Sequence, residues 1–199
     1  MPSTPTIVNV GYRSTNFWVI SAGRSRLLVD LGWPGMVDDL LHALKRADIP
    51  LAEVRYGFAT HYHIDHAGAA QDLKDRGMTL IVWSTQCEAI AQMKQHIKPT
   101  DRYREIVTDG NQVMPCDASR SWLASIGIAG EVVPTPGHSD DSVSLVLDSG
   151  ECFVGDLTRE AMVGSEDPDV IAESWRRLRQ LGGRRVYAGH GPIYPMPTP

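Results

Sequence analysis

The stretch THYHIDHAG, residues 60 to 68, limits what this chain can fold into more than any other. It places three of the seven histidines, with an aspartate, inside six positions. Were residues 61 to 66 helical, His61 and His63 would project about 200° apart at 3.6 residues per turn and could not share an ion. In an extended segment, positions two apart project to the same side. The spacing therefore predicts a loop leaving a strand over 54–59, with the next helix beginning near Gly68. His61 and His63 can then serve one point, while Asp65 and His66 turn toward a second point nearby. This differs from the helical HExxH arrangement, in which histidines four apart share a face.

Those four side chains do not complete a site. Three later segments share one pattern: an apolar run, a glycine, then a ligand-type residue. EVVPTPGH ends at Gly137-His138, ECFVGD at Gly155-Asp156, and RRVYAGH at Gly189-His190. Glycine before a ligand suits a crowded site, because it adds no Cβ and tolerates unusual backbone angles. Loops at one end of a rigid sheet are where sites are usually built. The candidate metal ligands are thus His61, His63, Asp65, His66, His138, Asp156 and His190. Imidazoles with carboxylates suit zinc, iron or manganese. His42 and His96 fall on predicted helices and read as surface or boundary residues.

The rest of the chain reads as sheets with helices packed outside. TIVNVG, NFWVISAG and RLLVDLG are apolar, β-branched runs punctuated by glycine. Met36, Leu40, Leu41 and Leu44 recur at helical spacing over 35–47. A strand over 54–60 is followed by a helix ending at Gly77, the strand TLIVW, and a helix capped by Ser84 and stopped by Pro99. Residues 98–118 are polar and read as a lid or a long connection. SRSWLASIGIAG fits helix or strand. Three strands then precede a capped helix over 167–183, two of them a hairpin around Asp148-Ser149-Gly150, and a last short strand leads into a proline-rich tail. Ile171, Trp175 and Leu178 form a core stripe. With no evident linker, residues 1–199 read as one domain.

Composition excludes some functions. A net charge of −5 and a pI near 5.8 weigh against a nucleic-acid partner, which needs basic surface to displace counterions. RRLRQLGGRR is the one basic stretch, and it reads as a solvated helix face and its exit. No apolar run approaches the roughly 18 residues of a membrane span. The opening segment lacks a basic-then-apolar pattern, so a cytoplasmic location is expected. Cys87, Cys116 and Cys152 form no CxxC pair and read as reduced thiols.

Taken together, HYHIDH, TPGHS, VGDLT and AGHGP resemble the signature of the metallo-β-lactamase superfamily, HxHxDH followed by a later His, Asp and His. The resemblance runs in order over nearly the whole chain. It implies an α/β (α+β) fold, a four-layer αββα sandwich of two mixed sheets flanked by helices, with a two-metal site at one sheet edge. It implies His61, His63 and His138 on one ion, Asp65, His66 and His190 on the other, and Asp156 bridging. Asp30, in VDLG, is implied as support behind the ligands. The cofactors implied are two divalent ions, zinc first, with iron or manganese as alternatives.

The implied activity is hydrolysis of a small ester, thioester or lactone by a two-metal-activated hydroxide that Asp65, the catalytic residue, helps to orient. Asp156 stands where several true β-lactamases of the superfamily carry Cys or another ligand set. That is closer to the glyoxalase II, lactonase and phosphodiesterase branches, although the helical extension of glyoxalase II is missing after His190. Alternatives are an iron-dependent sulfur dioxygenase-like oxidoreductase, a phosphodiesterase or β-lactam hydrolase, and a binding module without turnover. The expected partner is a small-molecule substrate, with neither nucleic acid nor membrane, and the oligomeric state stays open. Trp33, Arg159, Met162 and Tyr194 follow predicted strand ends on the same rim and are candidate substrate contacts. Tyr62 and Ile64 line the pocket or pack beneath it. Ser139, Asp140 and Asp141 read as a local turn.

Overall fold

A computed structural model of the chain describes residues 5–22 and 25–198. Met1–Thr4, Gly23, Arg24 and Pro199 lie outside the described residues. With them lie the start of the opening segment, the glycine closing the second apolar run, and the last residue of the tail.

The first sheet has the order β1 to β6. It is built from β1 (Thr6–Asn9), β2 (Trp18–Ala22), β3 (Ser25–Val29), β4 (Val54–Phe58), β5 (Thr79–Trp83) and β6 (Gln112–Met114). The pairs β1–β2 and β2–β3 are antiparallel, and those from β3 to β6 are parallel. Between these strands run α1 (Val37–Arg46), α2 (Ile64–Ala67), α3 (Ala70–Lys74) and α4 (Cys87–Met93). After α5 (Ser119–Ser125), the second sheet comprises β7 (Gly130–Pro134), β8 (Val143–Leu147), β9 (Glu151–Gly155), β10 (Arg185–Ala188) and β11 (Tyr194–Pro195), with α6 (Pro168–Gln180) crossing between β9 and β10. Only β9–β10 is parallel in this sheet, because α6 supplies the crossover a parallel pair requires.

Alternation along the strands sorts the side chains into layers. Trp18, Ile20, Leu27 and Val29 face the second sheet and meet Leu145, Phe153 and Tyr187. Val19 and Leu28 face the other way and pack with Leu40 and Leu44 of α1 and Leu73 of α3. Cys152, Val154 and Val186 face outward onto Ile171, Trp175 and Leu178 of α6, all three fully buried. The result is two mixed sheets flanked by helices, the αββα order. Each large apolar side chain buried this way contributes about 1.5–3 kcal/mol.

Helix α6 also sets the site. The Asp167 side chain accepts from Asp169 N and Val170 N and starts the helix. Two turns on, Ser174 Oγ donates to Pro136 O at 2.7 Å, and Trp175 Nε1 donates to Thr158 O at 2.7 Å. These two bonds fix the loops that carry His138 and Asp156.

Several local expectations are corrected or resolved. A single helical turn, α2, forms from Ile64 inside the expected loop, ahead of α3, the helix expected near Gly68, which starts at Ala70. Residue His63 is extended (φ −90°, ψ 158°), and its carbonyl accepts from His66 N and Ala67 N, so a single turn forms at once. Gly68 instead allows close approach, since a Cβ there would collide with Ile64 O and Pro34. Ser84 does not cap. A 3-10 turn over Ser84–Gln86 precedes α4, and the buried Gln86 side chain accepts from Trp83 N at 3.3 Å. Residues 98–118 form a connection laced down by Lys74, which donates to Val107 O, Asp109 O and Asn111 Oδ1, and it ends in the edge strand β6. The proline-rich tail holds a further strand, β11. SRSWLASIGIAG divides, with α5 first and the start of β7 at Gly130.

Candidate metal centre

All seven predicted ligands converge at one edge of the two sheets. Four come from the segment after β4, and three from loops of the second sheet. Their metal-binding atoms fall into three groups: His61, His63 and His138; His61, His66 and Asp156; and Asp65, His66 and His190. Within each group the atoms lie within 4.8 Å of one another. His138 Nε2 is 3.0 Å from His63 Nδ1. His190 Nε2 lies 3.2 Å from Asp65 Oδ2 and 3.3 Å from Asp156 Oδ2, and His66 Nε2 is 3.4 Å from both Asp65 Oδ2 and Asp156 Oδ1. Asp156 therefore stands between the two histidine sets, which the sequence pattern alone could not place.

The remote ring nitrogens are held by the protein. His190 Nδ1 donates to Ser14 O at 2.6 Å. Thr60 Oγ1 donates to Asp30 Oδ1 at 2.9 Å, which leaves it to accept from His61 Nδ1 at 3.1 Å. His66 Nδ1 lies 3.0 Å from Asp30 Oδ2 as a bent polar contact. Each arrangement keeps the proton on Nδ1 and leaves the Nε2 lone pair turned inward. Asp30 is almost fully buried and sits at φ +63°, a left-handed conformation that Asp tolerates better than most residues.

The inward atoms lack protein partners. His61 Nε2, His66 Nε2 and Asp156 Oδ1 are buried with no hydrogen bond from the protein. Buried polar atoms are rarely left so, because each costs about 1–3 kcal/mol. Imidazole nitrogens and carboxylate oxygens facing common points are the donor set that zinc, iron or manganese takes, so the residues present fit a pair of divalent ions.

The electrostatics differs from one imidazole to the next. Burial, followed by the neighbouring imidazoles, lowers the His61 pKa well below its usual value, which keeps it neutral. Burial alone would raise Asp65 and Asp156, but their contacts with His66 reverse this and hold both below the ordinary carboxylate range. For His66, burial lowers the pKa, but Asp30 and the other two carboxylates outweigh it and raise it.

The glycines before the ligands serve two ends. Gly137 and Gly155 adopt positive φ (+143° and +55°). At Gly189 a Cβ would come within 2.5 Å of Asp156 Oδ1 and 2.6 Å of His66 Cε1.

Residues 10–119 match the family model of the metallo-beta-lactamase superfamily. The chain belongs to this superfamily. A beta-lactamase-like protein 2 homolog of Caenorhabditis elegans is 28% identical over 188 residues, covering 91% of this chain and 57% of that protein. An atrochrysone carboxyl ACP thioesterase of Aspergillus fumigatus is 28% identical over 190 residues, covering 91% and 52%. The chain spans about half the length of the curated relatives it matches. A metallo-beta-lactamase family protein of Thermus thermophilus superposes with a TM-score of 0.72 at 20% identity, covering 96% of this chain and 75% of that one. It shares the fold.

Several contributors to this superfamily site lie outside its signature. Thr15, buried on the loop between β1 and β2, donates to Asp65 Oδ2 at 3.1 Å and accepts from Trp33 Nε1 at 3.1 Å. Trp33, read as a rim residue, thus acts through Thr15 on Asp65. Asn16 Nδ2 donates to Ala188 O and Gly191 O, and Asn16 N donates to Gly189 O, which pins the His190 loop. Gln86 Nε2 donates to Ala59 O, Thr60 O and Asp141 O. Asp141, read as part of a local turn, accepts from Tyr62 N at 2.8 Å and joins the His138 loop to the His61–His66 loop. Tyr62 is buried beneath the site, and Ile64 is partly buried. His42 is exposed on α1, as expected for a surface residue, whereas His96, also exposed, lines the cleft that His63 and His138 border. No helix among the described residues is long and apolar enough to cross a membrane.

Proposed function

We propose that the chain acts as one domain and is a metal-dependent hydrolase of a small ester, thioester or lactone, with His61, His63, Asp65, His66, His138, Asp156 and His190 holding two divalent ions. The observation that carries this reading is the set of buried, inward-facing His61 Nε2, His66 Nε2 and Asp156 Oδ1 atoms, none of which makes a well-formed hydrogen bond within the protein. Kinship with an ACP thioesterase supports acyl hydrolysis. Zinc is the expected metal. Such ions, when bound, lower the pKa of coordinated water toward about 7 and polarise a scissile carbonyl.

The chain's own groups do the rest. Asp65 is kept ionised by His66 and Thr15, so its carboxylate would be placed to accept a hydrogen bond from a water at the site and orient it. Thr60, Asp30 and the Ser14 carbonyl hold the imidazoles so that their Nε2 lone pairs are fixed before substrate arrives. Preset donor geometry of this kind avoids reorganisation at the moment of reaction. Clefts of about 490 Å³, beside His63 and His138, and about 500 Å³, beside Asp156 and His190, give room for the two sides of a small substrate.

The test is a panel of esters, thioesters and lactones offered to zinc-loaded protein of measured metal content. Hydrolysis that chelation abolishes and zinc restores is expected. A fully loaded protein that hydrolyses none of them, or an iron-loaded protein that consumes oxygen with persulfides, overturns the reading.

A further inference from the structure

The cleft beside Asp156 and His190 has a distinct chemistry. Its walls include Leu157, Met162 and Ala188, and Met162 is 69% exposed at the rim. Arg159 is the one lysine or arginine among its described lining residues. The guanidinium carbon stands 3.9 Å from the centroid of the Tyr194 ring, a contact that holds the side chain in place. No carboxylate lies within ion-pair distance of Arg159 among the described residues. The nearby acids are already engaged. Glu160 pairs with Arg179 at 2.9 Å, and Glu166 accepts from Thr158 Oγ1 at 3.1 Å and Gly164 N at 2.9 Å. Asp156 faces the histidines.

An unneutralised, ring-anchored guanidinium at the mouth of an apolar cleft, beside candidate metal ligands, is a receptor for a planar anion. A carboxylate matches its paired N–H groups. A phosphate, carrying nearly two charges, is better matched by two basic side chains, and Arg159 is the one lysine or arginine in the described lining. We propose that Arg159, seated on Tyr194, binds a carboxylate at the far end of the substrate, so that the preferred substrates are small acyl compounds carrying a free acid group separated from the scissile bond by a short apolar spacer. This rests on the hydrolase reading above and names its substrate class.

The test compares matched thioesters. Glutaryl and pentanoyl N-acetylcysteamine differ only in an acid on the acyl side, and S-acetyl-3-mercaptopropionate and S-acetyl-propanethiol differ only in one on the thiol side. Zinc-loaded protein is expected to prefer the acid-bearing member of at least one pair in kcat/KM. The preference is expected to fall by about ten- to hundredfold in Arg159→Gln, the worth of a hydrogen bond to a charged group. Arg159→Lys is expected to keep only part of it. Equal rates within both pairs, or a preference that Arg159→Gln leaves intact, overturn the proposal while the hydrolase reading stands. Calorimetric binding of glutarate separates the two ideas. If glutarate binds and Arg159→Gln weakens that binding while no thioester is cleaved, the cleft is right and the hydrolase reading fails. Glutarate binding that Arg159→Gln leaves unchanged rejects the cleft.

Discussion

Replacing Asp30 by Asn changes the candidate centre without touching a proposed ligand. Asn is nearly isosteric and tolerates the φ of +63° at this position. Its side-chain oxygen can still accept from Thr60 N, now 2.7 Å from Asp30 Oδ1. What cannot be kept is an acceptor facing His66 Nδ1 at 3.0 Å, where an NH₂ group would point instead. Two donors then face each other in a buried site. The cheapest escape is to move the His66 proton to Nε2, the atom turned toward Asp65 and Asp156. The lost buried contact is worth about 1–3 kcal/mol of stability. The tautomer change blunts a metal-facing lone pair, and loss of such an outer hydrogen bond typically weakens metal affinity about 10- to 100-fold. Titration of chelator-stripped protein with zinc against a competing dye, with urea unfolding of the same samples, reads both quantities. The expected result is a weakened binding step at the ion served by Asp65, His66 and His190, and a nearly unchanged step at the other. An Asp30→Asn protein that folds and takes up two ions as tightly as the parent would refute the argument that Asp30 fixes the His66 ring.

Gly189→Ala places a methyl 2.5 Å from Asp156 Oδ1, so the folded variant should hold fewer ions per chain by elemental analysis; full metal content would show that the loop can give way. Thr15→Val keeps the shape but removes the hydroxyl between Trp33 and Asp65. A drop in kcat of about 10- to 100-fold, with KM little changed, is expected, and a change in KM alone would count against it. Cys152 is fully buried, and burial pushes its thiol up to about 12. The unfolded thiol ionises first as pH rises, so stability present below pH 9 is lost between about 9 and 12, on the order of 1 kcal/mol per pH unit. Urea unfolding at pH 8 and pH 10 should show this loss in the parent and a smaller one in Cys152→Ala; equal losses would place the alkaline sensitivity elsewhere.

The histidine loop and the three glycine-ligand strand ends were legible because the residue types are rare and their chemistry is specific. Helix α6 was legible from its cap and from Ile171, Trp175 and Leu178, since long amphipathic spacing survives any tertiary context. Strand β6 was hidden because three residues, two of them exposed, carry no periodicity, and only pairing with β5 makes them a strand. The single turn of α2 was hidden for the same reason. Thr15, Asn16 and Gln86 were invisible because their roles depend on partners far away in sequence. A threonine in a loop has no signature until Asp65, 50 residues on, lies against its hydroxyl. Asp141 does sit in the expected turn, which Ser142 N closes by donating to Ser139 O, but its side chain's role was hidden because its partner, Tyr62 N, is 79 residues away.

His61, His63, Asp65 and His66 belong to the half of the chain that builds the first sheet, and His138, Asp156 and His190 to the half that builds the second. Neither half possesses a coordination sphere of its own. Bound cations would therefore act as rivets across a seam, with Asn16 as a stitch beside them. A chain severed between α5 and β7 would be expected to reunite more tightly when zinc is present than when it is withheld.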